Sequence, residues 1–327
     1  MKHMKQKKSY ILLFVLVLLI GCKENSDQVI RFKMGLVDPE NSNYGMGAKR
    51  ISQEVSNATS GKIIIDVFGS GQLGNERDMY EGAQLGTVDI ATIANPVLTS
   101  FIPEIAILDQ PFLFETEEQA HNVIDGKLGD LIAEKALEQG IHIVGWMESG
   151  FRNCFSIRPL KNLSDFKNLK IRTMENATQI AVFESFGAIP TPMPATEQYT
   201  ALQQRTIDAG ENAIANVLVN KYYEVVKNIT LTRHQFVFIA IGLSDKAWNR
   251  IPDELKPVFV EAVKEGANYQ RALLSEANAE AEAELKEIGV TFYNIDRNEL
   301  KKSASQKMVS FTNRIPKDWI DASKILN

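Results

Sequence analysis

The chain has 327 residues, with 41 acidic against 36 basic side chains and a formal net charge of -5. That balance excludes the basic footprint of a nucleic-acid binder, and 24% charged with 44% hydrophobic residues excludes a disordered chain. Two cysteines rule out a disulfide scaffold, and the length accommodates roughly two domains with cores of their own.

The first segment reads as an address. Lys2, Lys5, Lys7 and Lys8 form a basic start, and residues 11–20 form an unbroken apolar run. That run is too short for a membrane span, which needs roughly 20 residues, and it fits the apolar region of a signal peptide. Leu19-Ile20-Gly21-Cys22 follows at once and resembles the bacterial lipobox, in which the cysteine is acylated and becomes the first residue. The alternative is a chance cysteine beside an ordinary cleavage site. The expectation is a lipoprotein signal peptide over 1–21, acylation at Cys22, and a polar tether over 22–28. The mature protein would then be extracytoplasmic and lipid-anchored, and losing four lysines would move its charge from -5 to -9. Cys154 would be the one thiol left in the body, read as a small buried strand residue rather than a nucleophile.

Hydrophobic periodicity predicts an alternation of strands and helices. A strand over 30–36 leads to a helix over 44–59, and a strand over 62–68 carries Ile63-Ile64-Ile65. A helix over 75–85 and a strand over 88–93 follow. A second series starts near Gly150, with strands over 153–157 and 170–173, a helix over 177–186, an extended stretch over 188–191, a helix over 197–204 and a strand over 207–210. The two series echo each other: Ala83-Gln84-Leu85-Gly86-Thr87-Val88-Asp89 matches Leu202-Gln203-Gln204-Arg205-Thr206-Ile207-Asp208 as helix end, tight turn and strand with an aspartate. Apolar residues then recur at helical spacing over 257–288, a helix of about 48 Å that would brace both halves. These patterns predict an α/β protein of two lobes, the first built from 29–149 and 238–277, the second from 150–237 and 278–327.

Gly69-Ser70-Gly71-Gln72-Leu73-Gly74 matches the GxGxxG pattern of dinucleotide sites, but Glu76 and Asp78 stand in the first turn of the helix that follows, where a pyrophosphate needs positive potential. It is read as a plain turn, and no cofactor is expected. HExxH, GxSxG and CxxC do not occur in the sequence, so metal-dependent and serine hydrolase chemistry lack their usual supports and no catalytic or metal residue is assigned. Instead, Arg152 at the start of the second series, Arg172 on a strand leading into a helix, and the Asp208–Asn212 strand end suggest capture of an anion where α/β sheets bind ligands. Arginine suits a carboxylate because its planar fork donates two parallel hydrogen bonds.

At these residues the chain resembles the substrate-binding proteins of TRAP transporters, the DctP-like family. The resemblance runs through Gly71-Gln72-Leu73-Gly74-Asn75-Glu76-Arg77, Lys170-Ile171-Arg172, Gly187-Ala188-Ile189-Pro190-Thr191-Pro192-Met193-Pro194, Tyr199-Thr200-Ala201-Leu202-Gln203, Asp208-Ala209-Gly210-Glu211-Asn212 and Lys221-Tyr222-Tyr223-Glu224-Val225. It implies a two-lobed, periplasmic-binding-protein-like flytrap that closes around an organic acid and delivers it to a small and a large membrane subunit, without enzymatic turnover. It implies that Arg172 forms a two-pronged pair with the ligand carboxylate and that Arg152 and Asn212 also reach the ligand. Arg172-Thr173-Met174-Glu175-Asn176 is similar to the R-x-MEN run of receptors for uronates and related sugar acids, which brings in Glu175. Glu76 and Asn95 offer hydrogen bonds to hydroxyls; a helix N-terminal acid and a turn asparagine are their plainer roles. Receptors for a C4-dicarboxylate or sialic acid, a receptor serving a sensor kinase, and a secreted α/β lipoprotein enzyme are the alternatives.

Overall fold

The computed structural model describes residues 29–324; the expected signal peptide, Cys22 and the tether lie outside them. In chain order the elements are β1 (Ile30–Gly35), α1 (Asn43–Ala58), β2 (Ile63–Phe68), α2 (Glu76–Gln84), β3 (Ile90–Ala94), α3 (Asn95–Leu98), α4 (Glu117–Ile124), α5 (Lys127–Leu137) and β4 (Ile141–Ser156). Then come β5 (Lys170–Thr173), α6 (Ala177–Ser185), β6 (Ile189–Pro192), α7 (Ala195–Gln203), β7 (Ala209–Asn212), α8 (Ile214–Val219) and β8 (Asn228–Ser244). The chain closes with α9 (Asp245–Trp248), α10 (Lys256–Glu287), β9 (Thr291–Tyr293), α11 (Arg297–Thr312) and α12 (Lys317–Ala322).

The strands lie in the order β2-β1-β3-β8-β4-β7-β5-β6, with β9 beside β8. β1 pairs in parallel with β2 and β3, and β5 pairs in parallel with β6 and β7. The repeat read from the sequence is thus a repeat of topology, and its aspartates do the same task. Asp89 accepts a hydrogen bond from the Lys33 backbone N–H on β1, and Asp208 accepts one from the Lys170 N–H on β5. Thr87 and Thr206, two residues earlier, each close their turn onto a helix carbonyl, Gly82 and Ala201.

β4 and β8 join the two halves. They run antiparallel along each other, with register shifts between Ile143 and Gly145, Glu148 and Gly150, and Arg152 and Cys154. Bulges of this kind bend a strand pair and raise its twist, and Gly150 takes the left-handed φ of +73° that such a break requires. Gln270 of α10 repairs the ladder at this break: its side chain accepts from the Glu148 N–H and donates to the Glu148 carbonyl, both at 2.9 Å.

Each half has its own interior. The first core gathers β1, β2, β3, α1, α2, α5, the adjoining parts of β4 and β8, and the first half of α10. In the second half the sheet is buried on both faces. Cys154 on β4 points into a cluster with α6 and α11, and its neighbour Phe155 points into one with α7, α8 and the end of α10. Burial pushes the Cys154 thiol well above its ordinary range, so it is a packing group and not a nucleophile. The C-terminus departs from the expected division. Ile315 and Trp319 belong to the first core, so the chain returns to the first half after α11 because these apolar side chains find their cover there.

Candidate functional site

The sheet of the second half puts three of the expected residues side by side, since β4, β7 and β5 are neighbours in it. Arg152 on β4, Asn212 on β7 and Arg172 on β5 line one cleft with Glu76 at the start of α2 from the first half. The cleft is partly continuous with solvent. The first half also contributes Asp38 from the turn after β1 and Tyr44 from the start of α1; the second adds Asn216, Asn220 and Tyr222.

The two arginines have different employment. All five N–H groups of Arg152 are spent inside the protein. Nε and Nη2 make a two-pronged pair with the Glu211 carboxylate, Nη2 also donates to the Glu211 carbonyl, and Nη1 donates to Asn212 Oδ1 at 2.8 Å and to Ser149 Oγ at 3.1 Å. Burial penalises the charge of Glu211, but Arg152 outweighs this and holds the carboxyl at about 2. Burial likewise works against the Arg152 cation, and Glu211 more than offsets it.

Arg172 is 2% exposed. Its Nε donates to the Met193 carbonyl at 2.9 Å, and among the described residues neither Nη has a hydrogen-bond partner and no carboxylate lies within ion-pair distance. Burial therefore lowers its pKa, with Glu211 pulling the other way. Burying a guanidinium whose terminal nitrogens have no protein acceptor is unfavourable, and an anion entering the cleft would relieve it.

Around this fork stand polar groups with capacity to spare. Asn212 Oδ1 is saturated by Arg152, Asn216 and the Ala213 N–H, which orients its amide nitrogen away from them as a donor. Asn216 donates to the Tyr44 hydroxyl at 2.9 Å, and its own buried Oδ1 has no partner among the described residues. The ring of Tyr222 is stacked on Phe155 at 5.0 Å, which fixes its hydroxyl end at the cleft. Glu76 accepts from the Ala94 N–H at 2.7 Å, and Asp38 accepts from Asn220 at 2.8 Å.

The remaining two expected residues lie elsewhere. Asn95 is fully buried, with its amide donating to Asp109 and accepting from the Phe238 N–H, so it belongs to the packing beneath β8 and not to the cleft. Glu175 stands at the rim, 3.2 Å from Arg77 of α2, and ties the two halves together across the mouth. Asp38, Tyr44, Asn216, Asn220 and Tyr222 line the same cleft, and sequence reasoning missed them. The glycine run at 69–74 is a turn, and it serves the site: Ser70 N–H and Gly71 N–H clasp the carbonyls of Asp38 and Leu36. Among the described residues no group of three or more His, Cys, Asp or Glu side chains converges as a metal site, and no helix is long and apolar enough to cross a membrane.

Comparison with known proteins agrees with this geometry. A model of the family described as bacterial extracellular solute-binding protein, family 7 (DctP) matches residues 34–314. The 2,3-diketo-L-gulonate-binding periplasmic protein of Escherichia coli is 33% identical over 264 residues, which is 80% of each chain. The structure is similar to that of a TRAP periplasmic solute-binding protein from Polaromonas sp. bound to D-erythronate, with a TM-score of 0.88, 33% identity and coverage of 91% of this chain and 99% of that one. It is also similar to a sugar acid binding protein from Advenella mimigardefordensis in complex with galactonate, with a TM-score of 0.87, 28% identity and coverage of 90% and 98%.

Proposed function

The chain belongs to the bacterial extracellular solute-binding proteins of family 7, and from that premise we propose that it captures a sugar acid, an aldonate or uronate, between its two halves and delivers it to the small and large membrane subunits of a TRAP-type transporter. The family is one of transport receptors and not of enzymes. The observation that carries the choice of ligand class is Arg172, a buried guanidinium whose two terminal nitrogens have no partner among the described residues in a cleft lined with hydroxyl-binding groups. A carboxylate would take the fork. Asn212, Asn216, Tyr222, Asp38 and Glu76 would take the hydroxyls. Arg152 supports this from behind, by fixing Asn212, while its own charge is spent on Glu211. Glu175 closes the rim with Arg77. The relatives' ligands, a diketogulonate, an erythronate and a galactonate, are of the same chemical class.

The test is a thermal-shift screen followed by isothermal titration with aldonates, uronates, C4-dicarboxylates and sialic acid. An aldonate or uronate is expected as the tightest binder, and at 100 times its Kd it should add roughly 2.7 kcal/mol to the stability of the folded chain. A C4-dicarboxylate or sialic acid binding more tightly than every sugar monoacid would overturn the ligand class.

The tether belongs to the same proposal. Acylation of Cys22 would hold the receptor at the outer face of a membrane, with residues 23–28 as a leash. Wild-type protein should then fractionate with membranes, and Cys22→Ala should stay unprocessed or be released. Mature wild-type protein in the soluble fraction, with no lipid on Cys22, would remove the anchor and leave the receptor reading standing.

A further inference from the structure

The cleft holds two acids that its one available cation does not neutralise. Asp38 and Glu76 share the space with Arg172, yet among the described residues neither lies within ion-pair distance of any cation. Each accepts a single neutral donor from the protein, Asn220 for Asp38 and the Ala94 N–H for Glu76. A carboxylate has about four acceptor positions, so most of the capacity of both acids is left for what enters the cleft. Burial raises the pKa of each, the arginines pull both down, and the charge of Asp38 raises that of Glu76 further. Retaining two half-buried acids in one cleft is unfavourable unless they are used.

The balance of charge then acts on the ligand. Arg152 is cancelled by Glu211, and Arg172 is the remaining cation. One ligand carboxylate neutralises it. A hydroxyl reaching the far side donates a hydrogen bond to Asp38 or Glu76, a charge-assisted bond of the stronger kind. A second ligand carboxylate in the same place offers no donor to either acid and meets their negative charge, and juxtaposed like charges are strongly disfavoured.

We infer that Asp38 and Glu76 form a charge filter: they admit polyhydroxylated monocarboxylates and reject the dicarboxylates of the same carbon skeleton. The inference rests on the reading of Arg172 as the carboxylate anchor, and it adds what that reading leaves open, namely how a receptor built around arginines discriminates against a doubly charged acid.

The test uses matched pairs that differ only in a terminal CH2OH or carboxylate: D-erythronate with meso-tartrate, and galactonate with galactarate. Isothermal titration of the wild-type protein should show the monoacid of at least one pair bound about 100-fold more tightly than its diacid. Asp38→Asn with Glu76→Gln keeps both side-chain shapes and removes both charges. In that double variant, checked for folding by circular dichroism, the ratio should fall to about tenfold or less, chiefly through gained affinity for the diacid. A wild-type ratio within threefold in both pairs, or an unchanged ratio in the folded double variant, would overturn the filter while leaving the receptor reading intact. If the double variant does not fold, the wild-type ratio decides alone. A wild-type protein that binds no sugar monoacid, in these pairs or in the wider screen, would refute the anchor reading and the filter with it.

Discussion

Arg172→Ala is expected to abolish most of the binding of a sugar acid, weakening it by about 30-fold or more. Truncating one member of a buried charge pair removes roughly 2–5 kcal/mol of binding, because the ligand carboxylate is left desolvated and unpaired. The same substitution should not destabilise the free protein, since the guanidinium is buried and its terminal nitrogens have no partner among the described residues. That opposition is the signature of a group kept for a ligand and not for the fold. Arg172→Lys restores a charge without the planar fork and should recover only part of the affinity. Titration of both variants with the tightest monoacid, alongside urea denaturation of the unliganded proteins, measures the two effects separately. Wild-type affinity in a folded Arg172→Ala protein would remove the anchor from the mechanism.

Glu211→Gln should behave in the reverse sense, with its largest effect on stability. It leaves the fully buried Arg152 guanidinium facing a neutral amide, and breaking one side of such a pair costs about 3–5 kcal/mol. Ligand binding should weaken as well, because Arg152 holds the Asn212 side chain in place. The pH dependence has a definite sign. Arg152 depresses the Glu211 carboxyl from its ordinary 4.5 to about 2, so its contribution is fully present above 4.5 and is lost as pH falls through about 2. A shift of that size corresponds to roughly 3 kcal/mol. Asp109 works in the other direction: burial raises its carboxyl from 3.8 to about 6, so its contribution is complete below 3.8 and lost as pH rises through about 6. A wild-type profile mixes the two. The stability gap between wild type and Glu211→Gln isolates the first, and it should narrow from pH 5 downwards. An unchanged denaturation midpoint at pH 7, or a gap that stays constant into acid, would show that the pair does not hold this strand end.

Local chemistry made much of this structure readable. The strand over 170–173 is found residue for residue, and the long helix predicted over 257–288 runs from Lys256 to Glu287. The seven-residue echo ending at Asp89 and Asp208 pointed to two related halves, and each aspartate proves to pin the neighbouring parallel strand. β4 and β8 were less legible. The alternation predicts a strand only over 153–157 where β4 spans Ile141–Ser156, because β4 is buried on both faces over most of its length and its bulges interrupt any alternation. The cleft was legible where it falls at or near the ends of short strands, as with Arg172 and Asn212, whereas Arg152 lies within β4 beside a bulge. Asp38 stands in a turn-like Asp-Pro-Glu-Asn run and carries no local mark of its task. It meets Asn220 across 182 positions of chain, a proximity that topology alone creates. Asn95 failed for the complementary reason: its place at the end of β3 is right, and its side chain turns inward to Asp109.

The chain passes between the halves along β4, along β8, along α10 and again between α11 and α12. A single covalent link would let the halves drift over a wide cone. Four tethers in different parts of the boundary act instead like the leaves of a flexure, which bends along one easy direction and stiffens against the rest. Any opening must be shared among the bulges near Gly150, a bow in α10 and a shift of the final helix. In the proposed receptor, whatever holds the halves apart at the membrane subunits would then work against the stiffness of these same four crossings, and a bound ligand would work with it.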